Sequence, residues 1–324
     1  MARRHRRGRP VHGILLLDKP SGGSSNHALQ KAKRLYGAAK AGHTGSLDPL
    51  ATGMLPICFG EATKLAGFLL DADKGYETTL KLGVTTNSAD ADGAVLETRE
   101  IPAGLDLARF KEICDRFVGS LLQVPPMVSA IKIDGKRLYK LAREGKEVER
   151  PPRPVVIHEL EVLSFSGDSA RLAVRCSKGT YIRSLVTDIG EAIGCGAHVT
   201  ALRRTFVSPF GQCPMITLDT LEQMMAGLQH EPENPAQAAE LWPALDALLL
   251  APDAGLGHLP LVTVDESGKG AFMHGNAGAY LTNASTEYTE GALCRVYDTD
   301  GQLLGLGELG DTGTVSPRRV LQWG

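Results

Sequence analysis

Residues 42–65 constrain the fold more than any other stretch: Gly42-His43-Thr44-Gly45-Ser46-Leu47-Asp48-Pro49-Leu50-Ala51-Thr52-Gly53-Met54-Leu55-Pro56-Ile57-Cys58-Phe59-Gly60-Glu61-Ala62-Thr63-Lys64-Leu65. Four glycines and two prolines interrupt helix and strand alike, so most of the stretch is predicted to be a shaped loop. Yet it carries more Leu, Met, Ile and Phe than a solvated loop would. A loop both apolar and backbone-constrained belongs inside a domain. One carboxylate, Asp48, lies at its centre, with His43, Thr44, Ser46 and Thr52 as polar neighbours. On spacing alone, Asp before Pro also reads as a turn opener.

A chain of 324 residues with 43% hydrophobic and 22% charged content can bury a sizeable core and suits one large domain plus a smaller one. No apolar run is long enough to span a bilayer, and no apolar signal core follows the basic N-terminus, so a cytoplasmic protein is expected. Cys58, Cys114, Cys176, Cys195, Cys213 and Cys294 form no Cys-x-x-Cys pair and read as reduced thiols. Cys195 and His198 have ligand-like spacing but lack a second pair, so no zinc is expected.

The net charge of -2 conceals an asymmetry. Residues 3–9 hold five arginines, and residues 130–153 hold eight Lys/Arg against four Asp/Glu. Residues 214–260 hold seven acids and no Lys or Arg. Localised positive charge of this kind suits a polyanionic partner despite the near-neutral total.

Periodicity sketches the remaining elements. Gly13-Ile14-Leu15-Leu16-Leu17 reads as a buried strand running into Asp18-Lys19-Pro20-Ser21-Gly22-Gly23-Ser24-Ser25, a turn that ends at a helix N-cap. Helices are predicted over 26–37, 61–72, 105–118 (Leu107, Phe110, Ile113 and Phe117 inward), 136–145, 181–193, 217–229 and 241–250. Strands are predicted over 76–84, 155–165, 170–176, 198–206, 293–297, 303–309 and 315–321. By pattern Tyr76 is a core tyrosine sharing a face with Thr78, Leu80 and Leu82. Arg183, in the first turn of a helix, opposes the helix dipole, which agrees with an anionic partner elsewhere. Residues 85–93 are faintly like a calcium loop but lack its closing glutamate.

Gly42-His43-Thr44-Gly45 is loosely similar to phosphate loops of nucleotidyl transferases, but no second basic loop or Gly-Lys-Ser/Thr cradle supports that reading. A closer likeness covers nearly the whole chain. Residues 42–53 reproduce the Gly-His-x-Gly-x-Leu-Asp-Pro-x-Ala-x-Gly pattern of the TruB family of tRNA pseudouridine synthases. Residues 18–25 resemble its Asp-Lys-Pro-x-Gly-x-Ser-Ser motif, and residues 176–185, Cys-Ser-Lys-Gly-Thr-Tyr-Ile-Arg-Ser-Leu, its third motif. Residues 86–90 follow its Thr-x-Thr-x-Asp pattern, with Ser88 at the second Thr.

The resemblance implies an α+β fold, a mainly antiparallel mixed sheet flanked by helices, with a small C-terminal PUA-like β-barrel. The residues themselves read as a basic disordered arm over 1–11, with nothing apolar to bury, and a Pro/Gly-rich linker at 251–260; the resemblance implies a catalytic domain over 12–250 with an RNA-clamping insertion at 125–153, and an RNA-binding domain over 261–324. A chain ending near Pro260 is then expected to fold. The implied catalytic residues are Asp48, its partner Arg183, and Tyr76 against the target uracil; Leu202 lies beneath the base. His43, Lys19, Pro20, Lys64 and Asp90 complete the implied substrate-binding set. The implied reaction isomerises uridine 55 in the T arm of tRNA after base flipping, with no cofactor, metal, membrane or protein partner. The alternative is a non-catalytic tRNA-binding or tRNA-folding protein, which keeps the charge pattern without the chemistry.

Overall fold

The computed structural model describes residues 8–129, 131–133, 135–138, 141, 144–146, 148–211, 213–229, 242–281, 289–311 and 313–323. The first seven residues, Lys140 and Arg143 of the basic segment, and the acidic connector at 230–241 lie outside the described residues.

In chain order the strands of the first three-quarters are β1 (Gly13–Lys19), β2 (Ala41–His43), β3 (Thr52–Phe59), β4 (Lys74–Leu82), β5 (Val84–Thr86), β6 (Val95–Thr98), β7 (Gly119–Gln123), β8 (Lys132–Ile133), β9 (Lys136–Arg137), β10 (Arg153–Phe165), β11 (Ser169–Cys176), β12 (Ala197–Val207) and β13 (Ile216–Thr217). Nine of them form one sheet in the order β13-β1-β3-β12-β4-β11-β10-β7, with β2 beside β3. Most neighbours are antiparallel; β12 with β3 and β13 with β1 are parallel. Helices α1 (Ser25–Leu35), α2 (Ala66–Leu70), α3 (Leu107–Asp115), α4 (Ile182–Ile193) and α5 (Leu218–Gln229) flank it. The mixed α+β reading holds.

The stretch at 42–65 departs from the loop expected of it. Thr52–Phe59 is an inner strand, paired with β1 from Gly53↔Lys19 to Phe59↔Gly13 and buried from Gly53 onward. Its apolar run of Met54, Leu55, Pro56, Ile57, Cys58 and Phe59 is what a strand covered on both faces requires. Pro56 brings no N–H, but its carbonyl still accepts the Thr44 N–H at 3.1 Å. Gly53, at φ +98°, is needed for a close approach: a Cβ there would stand 2.2 Å from the Arg204 carbonyl oxygen. The residues that argue against a strand are those that let this one close against β12.

Three helix expectations also change. A single helix over 61–72 becomes a 3-10 turn at Gly60–Lys64 followed by the short α2. Residues 136–137 are a strand returning on 132–133 around Gly135, which sits at φ +78°, and Leu138 and Leu141 are helical, so the helix starts after Arg137 rather than at Lys136. Leu107 starts α3 and is exposed, leaving Phe110, Ile113 and Cys114 as the buried stripe.

The sheet buries both faces. Leu15, Leu17, Leu55, Ile57, Leu80, Leu172, Val199 and the inward face of α4 fill one side. On the other, Ile14, Leu16, Met54 and Cys58 pack with Leu303, Leu306 and Leu321 from the C-terminal part. That part contains β14 (Leu261–Val264), α6 (Glu266–Met273), β15 (Gly278–Ala279), β16 (Leu293–Asp298), β17 (Leu303–Leu309) and β18 (Thr314–Val320). Its sheet runs β14-β16-β17-β18-β15 and curls until Leu281, just past β15, bridges Thr263 in β14.

Polar contacts reinforce the docking. The Glu61 carboxylate accepts the Gln322 N–H at 2.8 Å, Lys64 Nζ donates to the Val320 carbonyl at 2.9 Å, and Trp323 meets His12 edge to face. The connector at 251–260 is packed rather than free: Leu256 is buried, and buried Asp253 accepts from Arg295 at 3.1 Å and from the Tyr297 hydroxyl.

Candidate active site

Asp48 stands on the loop between β2 and β3, and the turn after β1 builds its cradle. Ser25 Oγ accepts the Leu47 N–H at 2.7 Å and donates to the Leu47 carbonyl at 3.1 Å. Gly22 N–H donates to the Pro49 carbonyl at 3.0 Å, and Ser21 Oγ to that of Leu50 at 3.1 Å. Lys19, only 1% exposed, spends its ammonium on the carbonyls of Pro20 (2.8 Å), Pro49 (3.3 Å) and Ala51 (2.7 Å). Burial lowers its pKa to about 8, against the pull of Asp48 in the other direction. Lys19 and exposed Pro20 thus belong to the wall, where Pro20 borders a cavity of about 430 Å³ with Ser21, Gly22, Gly23, His27 and Lys31.

Arg183 enters from the first turn of α4. The side-chain amide of Gln123, at the end of β7, brackets the residue before that helix, accepting from Tyr181 N–H at 2.8 Å and donating to its carbonyl at 3.1 Å. The guanidinium meets Asp48 at two points: Nη2 donates to Oδ1 at 3.0 Å, and Nε lies 2.9 Å from Oδ2 as an ionic contact off the hydrogen-bond axis. Nη1 donates to the Ser88 carbonyl and Nη2 to that of Val128, both at 2.7 Å. Asp90 Oδ2 stands 3.6 Å from Nη1. Asp90 is itself buried, held by Ser88 Oγ at 2.5 Å and the Asp92 N–H at 3.2 Å. The hydroxyl kept at Ser88 therefore has a partner.

Burial raises the Asp48 pKa above its ordinary value; Arg183 opposes that shift, and nearby Asp90 adds to it. Tyr76 in β4 is half-buried, and burial pushes its phenol up against the opposing cation of Arg204. Leu202 in β12 is buried, and two residues further along the strand Arg204 faces Tyr76 in the ladder. His43 is half-buried with Nδ1 unpartnered; burial, then Arg204, lowers its pKa, so the imidazole is neutral at neutral pH.

The structure joins Asp48, Arg183 and Asp90 directly, sets Lys19 against the carbonyls of the Asp48 loop, and puts Tyr76 within electrostatic reach of Asp48, while His43 lies near Arg204 and Leu202 shares the core with Leu47. Asp90 is buried, with its carboxylate 3.6 Å from Arg183 Nη1. Lys64 is elsewhere, between Glu61 and the carbonyl of Val320, because its 3-10 turn faces the C-terminal strand. Two residues escaped sequence reading. Arg204 looks like a surface charge beside Arg203, yet it alternates with Leu202 on the inward face. Tyr181, the N-cap of α4, is half-buried and senses both Asp48 and Arg183 electrostatically.

Comparison with known proteins adds the following. Residues 33–182 match the TruB family pseudouridylate synthase N-terminal domain, 183–256 the tRNA pseudouridylate synthase B C-terminal domain, and 260–321 the pseudouridine synthase II TruB C-terminal domain. The chain is 50% identical over 322 residues to tRNA pseudouridine synthase B of Stutzerimonas stutzeri strain A1501, covering 99% of each chain. It is 48% identical to the protein of that name from Aeromonas salmonicida strain A449, covering 100% of this chain and 98% of the other. Among solved structures, an H/ACA ribonucleoprotein bound to a substrate RNA containing 2′-deoxyuridine superposes with a TM-score of 0.69 at 22% identity. That match covers 99% of this chain and 92% of that one, and it bears on the fold.

Proposed function

The chain belongs to the TruB family and is a tRNA pseudouridine synthase, and from that premise we propose that it isomerises uridine 55 in the T arm through Asp48. The observation that carries the assignment of Asp48 is its grip by Arg183, whose own side chain is buried. A carboxylate oriented in this way, at the mouth of an apolar frame, suits attack on an electrophilic carbon or removal of a proton. Either role requires the ionised form. The reaction breaks the N1–C1′ bond, turns the detached uracil and joins C5 to C1′, with the C5 proton lost as N1 gains one. Atoms and electrons balance within the nucleotide, so the chemistry calls for no cofactor.

In this reading the uridine leaves the folded loop and lies against Tyr76, over Leu202, with His43 bracing the vacated space. Lys19 and Pro20 shape the wall, and Asp90 orients Arg183. Residues 12–250 form the catalytic domain, the basic segment at 125–153 closes on phosphates, and residues 261–324 act as a PUA-like RNA-binding part. The working compartment is the cytoplasm, where tRNA is matured.

The test is incubation with unmodified tRNA and with a T-arm stem-loop, without added cofactor, followed by nucleoside analysis. Pseudouridine at position 55 alone, and none in a U55C stem-loop, is the expected result. Tight RNA binding with no pseudouridine would leave a non-catalytic tRNA-binding protein instead.

A further inference from the structure

Arg204 has no part in the proposed chemistry, yet its side chain is only 1% exposed. Nε donates to the Met54 carbonyl at 2.7 Å and Nη2 to the Gly45 carbonyl at 3.2 Å. Tyr76 is its cross-strand partner, so the two side chains leave the same face of the sheet, and the guanidinium acts electrostatically on the phenol. In the sheet Arg204 sits opposite Tyr76 on one side and Gly53 on the other. One planar group therefore joins β3 to the loop that carries Asp48, directly opposite Tyr76 of β4. These partners are neutral oxygens. A buried cation held by such groups forgoes the Coulombic return of an ion pair, and an apolar side chain of similar volume would fill the space at lower desolvation cost. Its rigid fork nonetheless does what no apolar residue can: it fixes two carbonyls from separate segments at once, beside the Tyr76 phenol.

We propose that Arg204 is a positioning residue of the isomerisation site, locking the Tyr76 phenol and the Gly45–Asp48 loop into one fixed relation. The proposal rests on the reading of Asp48 and Tyr76 given above. Asp48 is already aimed from the α4 side by Arg183. Arg204 supplies the complementary constraint from the sheet side, so that carboxylate and phenol address the same nucleotide.

The experiment compares wild type, Arg204→Lys, Tyr76→Phe and the double variant for tRNA affinity, thermal melting and single-turnover pseudouridine formation. Lys carries the charge but supplies a point donor on a flexible stem. A slip of about 1 Å in a reacting group costs up to about 100-fold in rate, so Arg204→Lys is expected to slow single turnover about 10- to 100-fold. Its tRNA affinity should stay within threefold of wild type, on the order of the non-additive scatter between independent sites. Because part of the loss runs through Tyr76, the double variant should lose clearly less than the product of the two single losses. Wild-type turnover by folded Arg204→Lys, or full multiplication of the two losses, overturns the proposal. If the Lys variant does not fold, Arg204→Gln takes its place under the same criteria. An inactive wild type would remove the underlying functional reading, a result distinct from an active wild type with an unaffected Arg204 variant.

Discussion

Arg183 has 2% of its side chain exposed and Asp48 has 33%, although their charged groups meet at 2.9 and 3.0 Å. The cation is sealed in by carbonyls while the carboxylate reaches outward. A buried ion pair is weak evidence for stability, since desolvation offsets much of its attraction. The asymmetry is better explained as aiming: the dry partner is held by carbonyls, and the partly exposed one is presented where a nucleotide can reach it.

Arg183→Lys should therefore behave as a radical change. A lysine cannot reproduce contacts to Asp48, Ser88 and Val128 from one rigid plane. Single-turnover pseudouridine formation is expected to fall by at least about 100-fold, in the range seen when an oriented catalytic group is displaced. Melting should shift only modestly. Near-normal turnover would show that Arg183 does not aim Asp48.

The pH profile follows from the raised Asp48 pKa. Turnover needs the ionised carboxylate, so the rate should fall on acidification with a midpoint above 3.8, the ordinary value. Weakening the opposing cation through Arg183→Lys should move that midpoint further up. Linkage has the opposite sign for stability: a raised folded pKa contributes stability below the unfolded pKa and loses it as pH rises through the folded value. The form that works is the form that costs the fold. An acid limb at or below 3.8 in a single-turnover profile would contradict this picture.

Much of the site was legible because its residues sit in short contiguous motifs. Asp48, Arg183 and the Lys19 turn could be named from their neighbours, even though chain distance hides that they touch. The misreadings have physical causes. Gly53 and Pro56 look like strand breakers, yet Gly53 permits the approach of β12, and Pro56 needs only its carbonyl. Lys64 closes the motif in sequence but turns with its 3-10 segment toward Val320. Arg204 was visible only as alternation: Leu202 and Arg204 face inward, while Arg203 lies between them and pairs outward with Asp18 at 3.0 and 2.7 Å.

The packed C-terminal sheet changes what truncation should do. The linker-like composition of 251–260 suggests a chain that folds without residues 261–324. In the structure Leu303, Leu306 and Leu321 cover Ile14, Leu16, Met54 and Cys58, the back of the strands flanking Asp48. Each such side chain left uncovered costs about 1.5–3 kcal/mol, and only a few exhaust a typical net stability of about 5–15 kcal/mol. A chain ending at Pro260 is expected to lose its cooperative melting transition and to aggregate. A transition within a few degrees of the full chain, on the order of a 1 kcal/mol change, would show that the shared core contributes little.

Asp48→Asn separates chemistry from architecture most cleanly. The amide matches the carboxylate in shape, and its oxygen can still accept from Arg183 Nη2. Its NH2 then faces Arg183 Nε, where one contact is lost, but Asp90 remains 3.6 Å from the guanidinium to compensate its charge. Removing an ionised group that burial disfavours offsets part of that loss, so the fold should survive. Affinity for tRNA should hold or tighten, since one anion near the RNA is gone. Turnover should drop to background, because a neutral amide can neither attack carbon nor accept the proton. Product formation and affinity are measured on the same folded preparation, used fresh so that deamidation does not regenerate Asp48. Full activity there would reduce the loop to a packed turn, with its carboxylate serving Arg183 rather than the nucleotide.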